Sequence, residues 1–112
     1  MDNYQKWCAE NPILAEIEQL EEIGYNGKIT LEEQNRLDNL YAIREKMAEL
    51  DRAFAESVKL HGAWLQTPEG SAEQAAARMA WIKAHRRYVK AVDDLRAANP
   101  QAADAWKPPT RR

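Results

Sequence analysis

Gly24-Tyr25-Asn26-Gly27-Lys28-Ile29-Thr30-Leu31-Glu32-Glu33 lies between two stretches of helical periodicity, and its reading decides the fold. Ile13, Leu14, Ile17, Leu20 and Ile23 recur at helical spacing before it. Gly24 follows the last of them and is expected to end that helix in the left-handed conformation, which glycine enters without steric penalty. Asn26 and Gly27 tolerate the backbone angles of a reversal. Thr30 with Glu33 then matches a capping box, in which each side chain satisfies the other's backbone amide at the start of a helix, and such a cap contributes about 1 kcal/mol.

The same stretch can be laid over a calcium loop, with Asn26, Gly27 and Glu33 at its fifth, sixth and twelfth positions. The overlay fails at the ligands. Calcium requires oxygen donors at the first and third positions, which here are Glu22 and the side-chain-free Gly24. The stretch is therefore read as a corner between helices.

Working outward, Asp2 caps a short helix carrying Tyr4, Trp7 and Cys8, and Asn11-Pro12 kinks it into the segment that ends at Ile23. From Leu31 to about Leu60 there is neither Gly nor Pro, and Leu40, Ile43, Met47, Leu50 and Phe54 form a heptad seam widened by Leu37 and Val58. His61-Gly62 offers a stop, after which Ala63 to Leu65 prolong the helix or fold over its end. Thr67-Pro68-Glu69-Gly70 is a loop, and Ser71 with Gln74 makes a second capping box. The next helix runs from about Ala72 to Ala98, with Met79, Ile82, His85, Tyr88, Val89, Val92 and Leu95 expected inside. Asn99-Pro100 breaks it, and a short helical turn follows.

Three long segments joined by short loops predict an all-α fold, an antiparallel three-helix bundle running up, down and up. The first helix is kinked, and a short C-terminal turn precedes an extended tail. Residues 1-106 form one expected domain and residues 107-112 a flexible Pro/Arg tail. The single cysteine fits a reducing cytoplasm, and neither a signal peptide nor a membrane span is apparent.

The net charge of -2 conceals an asymmetry: residues 1-56 carry -7 and residues 57-112 carry +5. Lys83, Arg86, Arg87 and Lys90 are the densest basic group, flanked by Trp81 and Tyr88. That pattern suits phosphate neutralisation with a ring to stack a base, or an internal match to Glu18, Glu21 and Glu22. His61 and His85 lack the company of a metal site, and Cys8 lacks the cationic setting of a reactive thiol. With no phosphate loop, ligand cluster or nucleophile-base pair, the chain is read as a non-enzyme without cofactor or metal.

Four tryptophans are too many for the centre of a narrow core. Trp64, Trp81 and Trp106, with Lys83, Arg86, Arg87 and Lys90, are the candidate partner-binding residues. Gly24, Asn26, Gly27, Thr30, Glu33, Ser71 and Gln74 are assigned to turns and caps. The expected function is binding to another protein, as an adaptor or inhibitor of a larger complex. Size and composition match products of phages and mobile elements. A homodimer through apolar surface left over on the long helix, a nucleic-acid-binding regulator and a self-assembling structural protein are the other readings.

Overall fold

The structure, a computed structural model, describes residues 2-108. It is all-α: the described residues form α1 (Asn3–Glu10), α2 (Pro12–Tyr25), α3 (Leu31–Leu65), α4 (Ala72–Ala98) and α5 (Pro100–Ala105). Residues 109-112, most of the expected tail, lie outside the described residues, while Lys107 and Pro108 are non-helical. The chain divides into two compact units, Met1–Glu45 and Lys46–Arg112, so α3 gives its first part to one and its remainder to the other.

In the first unit, Asp2 and Gln5 cap α1 reciprocally. The expected kink at Asn11-Pro12 is a full break. The side chain of Asn11 donates to the Trp7 carbonyl at 3.0 Å and so closes α1, leaving Pro12 to begin α2. The core of this unit is Ala15, Ile17 and Leu20 of α2 with Leu37, Leu40 and Ile43 of α3.

Two polar contacts hold α2 and α3 on opposite flanks of that apolar seam. Arg36 grips Glu16 with Nε and Nη2 at 2.8 and 3.0 Å, and the Tyr41 hydroxyl donates to Glu21 at 2.8 Å. The partners in each helix are five residues apart, a turn of about 140°, which is why the contacts fall on different sides. Hydrogen bonding to Arg36 holds the Glu16 carboxyl below the usual carboxylate range, although both groups remain substantially exposed. An exposed pair of this kind contributes under about 1 kcal/mol, so the buried side chains carry most of the stability.

The corner corrects one assignment. Gly24 does not end the helix: α2 continues through Tyr25, and the left-handed residue is Gly27, with φ of 70°. The Lys28 amide reaches back to the Ile23 carbonyl at 3.2 Å and the Gly27 amide to the Gly24 carbonyl at 3.0 Å. This is a Schellman closure, which satisfies two terminal carbonyls and needs positive φ one residue beyond the cap. Gly24 serves instead as a seat for Ile29, whose Cδ1 would stand 3.8 Å from an added Cβ. The Thr30–Glu33 box forms as expected, with both bonds at 3.1 Å.

The two glycines should therefore respond oppositely to substitution. Gly27→Ala is expected to destabilise the protein by about 1 kcal/mol through the left-handed backbone. Gly24→Ala is expected to be neutral or to stabilise by up to about 1 kcal/mol through helix propensity. Urea denaturation of both variants checks the order, and a costlier Gly24→Ala would contradict this corner.

In the second unit α3 passes through His61-Gly62 and ends at Leu65, where the Thr67 hydroxyl donates to the Trp64 carbonyl at 2.6 Å. Ser71 caps α4 by accepting from the Gln74 amide at 3.0 Å. Gln74 answers one residue further back than a capping box requires, accepting from the Gly70 amide at 2.8 Å, because Gly70 turns with φ of 78°.

The inward face of α4 is shifted from the expected one: Ile82, Tyr88, Val92 and Leu95 lie inside as expected, but the rest of the face turns. Ala84 and Leu95 are buried, with Trp81, Tyr88, Ala91 and Val92 half-buried beside them. Met79, His85 and Val89, expected inside, are exposed. The alanine at 84 admits a close neighbour, which lets the large rings at 81 and 88 turn inward on either side of it. Asn99 closes α4 and its side chain caps α5, which buries Ala102.

Candidate functional site

The residues proposed from the sequence separate into two places on the second unit. The first is a run of aromatic rings. Phe54, His61 and Trp64 project from α3, Trp81, His85 and Tyr88 from α4, and Trp106 follows α5. The spacing on each helix repeats at three, four or seven residues, so the rings from one helix share a face. Trp81 is the hub, with ring centroids 5.5 Å from both His61 and Trp64 and 5.1 Å from His85. Tyr88 continues the run through His85 at 6.1 Å to Phe54 at 5.6 Å and Trp106 at 6.1 Å. These separations are those of favourable offset and edge contacts.

Trp106 closes the run. Its ring meets Phe54 edge-on at 5.8 Å, and its indole N–H donates to Asp51 Oδ1 at 2.7 Å. Fifty-five residues separate donor from acceptor, and the bond fastens the end of α5 to α3. Its geometry is that of a staple.

At the other end of the run, Trp64 borders a cleft of about 330 Å³ at the second corner, lined also by Gly70, Ser71, Gln74, Ala75 and Arg78. Leu65, next along α3, is 70% exposed. Sequence reasoning missed Leu65 and Arg78. The signal available was their position on either side of the Thr67–Gly70 loop, which brings the end of α3 beside the first turns of α4.

The second place is the outward side of α4. Lys83, Arg86 and Lys90 each follow an inward residue, Trp81, Ala84 and Tyr88, by two positions, a rotation of about 200°. All three are exposed, and Met79 extends the line at its start. Trp81 and Tyr88 consequently turn away from the basic line, which presents cations without the stacking ring that the sequence suggested. Arg87 stands to one side, in a groove of about 240 Å³ with Glu49, Ala53, Lys90, Ala91 and Asp94.

Acidic residues temper that groove. Lys90 Nζ lies 2.8 Å from Asp94. The hydrogen bond raises the lysine's pKa and lowers the aspartate's, so both stay charged at neutral pH. Within the first unit, Glu21 accepts from the Tyr41 hydroxyl.

Among the described residues no group of three or more His, Cys, Asp or Glu side chains is placed to hold a metal ion. No helix among them is long and apolar enough to cross a membrane. No family model, curated protein or solved structure matches the chain.

Proposed function

We propose that this protein acts in the cytoplasm by binding another protein, as an adaptor or inhibitor of a larger complex, and that the second corner makes the contact. The observation that carries the reading is that Trp64 and Arg78 line one open cleft, with the exposed Leu65 following Trp64 at the end of α3. Trp and Arg are the side chains most often found at the energetic centre of interfaces, where an aromatic body and a planar cation bind together. The matching partner segment carries an apolar side chain for the cleft beside a carboxylate for Arg78.

Both Leu65 and Arg78 are exposed, so they can be changed without opening the ring run. A photo-crosslinking amino acid in place of Leu65, activated in the native cell, is expected to join the chain to one protein in fixed proportion. Arg78→Glu should reduce that adduct at least tenfold, the scale of a lost interface anchor. Recovery of the same adduct with Arg78→Glu, or no adduct at all, would overturn this assignment of the contact.

A further inference from the structure

Two outward helix faces match each other in spacing and oppose each other in charge. On α2, Leu14, Glu18, Glu21 and Tyr25 recur at intervals of four, three and four. On α4, Met79, Lys83, Arg86 and Lys90 recur at the same intervals. All eight side chains are exposed, Tyr25 at 95% and Met79 at 53%, and Val89 at 45% stands beside Lys90. Glu18, Lys83 and Arg86 take no hydrogen bond or ion pair among the described residues.

We propose that a second copy of this chain occupies the outward face of α4 through the outward face of its α2. Laid antiparallel, the stripes place Tyr25 on Met79, Glu21 on Lys83, Glu18 on Arg86 and Leu14 beside Val89 and Lys90. Each stripe spans about 16 Å at 1.5 Å per residue, so the match holds from end to end. Glu22 adds a second carboxylate on the α2 side. Parallel docking instead sets Leu14 on Met79 and Tyr25 on Lys90, which leaves the exposed tyrosine ring without its apolar partner.

The wider field has the same sense. The first unit carries ten acidic and four basic side chains, net -6, and the second carries eight acidic and twelve basic, net +4. Each copy thus offers an acidic stripe on α2 and a basic stripe on α4, so the α2 of one copy is complementary to the α4 of another. The homodimer first expected would use apolar surface left over on α3. Among the described residues its exposed large apolar side chains are Leu31 and Leu65, at its two ends.

Opposite charges meeting at an exposed rim are weakened by salt, because screening acts over about 10 Å at 0.1 M. The association is therefore expected to be reversible and electrostatic in origin. It does not rest on the partner contact at the second corner, since Leu65 and Arg78 belong to neither stripe.

Sedimentation velocity of the full chain at about 100 μM separates the outcomes. The wild type is expected to be dimeric at 50 mM salt and at least tenfold weaker in association at 500 mM. Glu18→Lys with Glu22→Lys should give a monomer, and so should Lys83→Glu with Arg86→Glu, each with unchanged helical circular dichroism. Mixing these two variants in equal amounts should restore a dimer, because each then supplies the charges the other lacks. A wild type that is monomeric at low salt would overturn the proposal, as would variants that stay monomeric when mixed. A low-salt monomer that instead shifts a DNA duplex through Lys83 and Arg86 would make α4 a phosphate-binding face and overturn it equally.

Discussion

Leu95→Ala is expected to destabilise the protein by about 3 kcal/mol, within the 2 to 5 kcal/mol range for a fully buried leucine. The side chain is 0% exposed and sits where α4 hands over to α5. Its loss removes transfer free energy and leaves a void that the neighbouring backbone cannot fill, because the Asn99 amide is tied to the Leu95 carbonyl at 2.7 Å. Against a total stability of about 5 to 15 kcal/mol, this is a large fraction. The melting temperature should fall by roughly 10 to 15 °C. Met79→Ala and Val89→Ala, at positions the apolar pattern also nominated, are expected to change stability by less than about 0.5 kcal/mol. Thermal unfolding of the three variants tests the rotation of α4 directly. A Met79→Ala cost equal to that of Leu95→Ala would mean that the helix faces the other way.

The second large effect is expected at Trp106. Replacement by alanine removes a half-buried indole that touches Phe54 and Tyr88, and about 3 kcal/mol should be lost, the low end for tryptophan because part of the ring is already in water. Trp106→Phe keeps an aromatic ring but loses the bond to Asp51 and part of the indole surface, so it should cost about 1 to 2 kcal/mol. Asp51→Ala should cost about 1 kcal/mol, and the double variant Asp51→Ala with Trp106→Phe should cost no more than Trp106→Phe alone, since both remove the same bond. Urea unfolding of this cycle measures the coupling. Full additivity would show that the indole and the carboxylate act independently and that α5 is held by its rings alone.

The corners and caps were legible because they are settled within four residues of chain. Asp2, Thr30 with Glu33, and Ser71 each satisfy amides that no other group reaches, so the local sequence contains both partners. The α3 seam was legible for a related reason: a heptad run without Gly or Pro has one apolar side, and Leu37, Leu40, Ile43 and Leu50 are all buried. The mistake at Gly24 came from two glycines standing three apart, either of which can end a helix. The choice fell to Gly27 because Ile29 folds back over Gly24 and keeps it in the last turn.

The site was less legible. The apolar spacing of α4 nominated Met79, Ile82, His85, Tyr88, Val89, Val92 and Leu95, of which Met79, His85 and Val89 are exposed, while Trp81 and Ala84, not nominated, lie inside. In the structure Tyr88 lies against Phe54 and Trp81 against His61, with Ala84 buried between them on α4. That same rotation puts Lys83, Arg86 and Lys90 on the outside and separates them from Trp81 and Tyr88.

By itself, then, the sequence determined that the chain is helical, where most of its helices begin, and which side of α3 is buried, because each depends on bonds or spacings within a few turns. Tertiary structure alone decided which way α4 faces, that Trp106 reaches Asp51, and that Trp64 and Arg78 line one cleft. Those contacts join residues far apart in the chain, and a helix turns toward whichever neighbour its side chains fit.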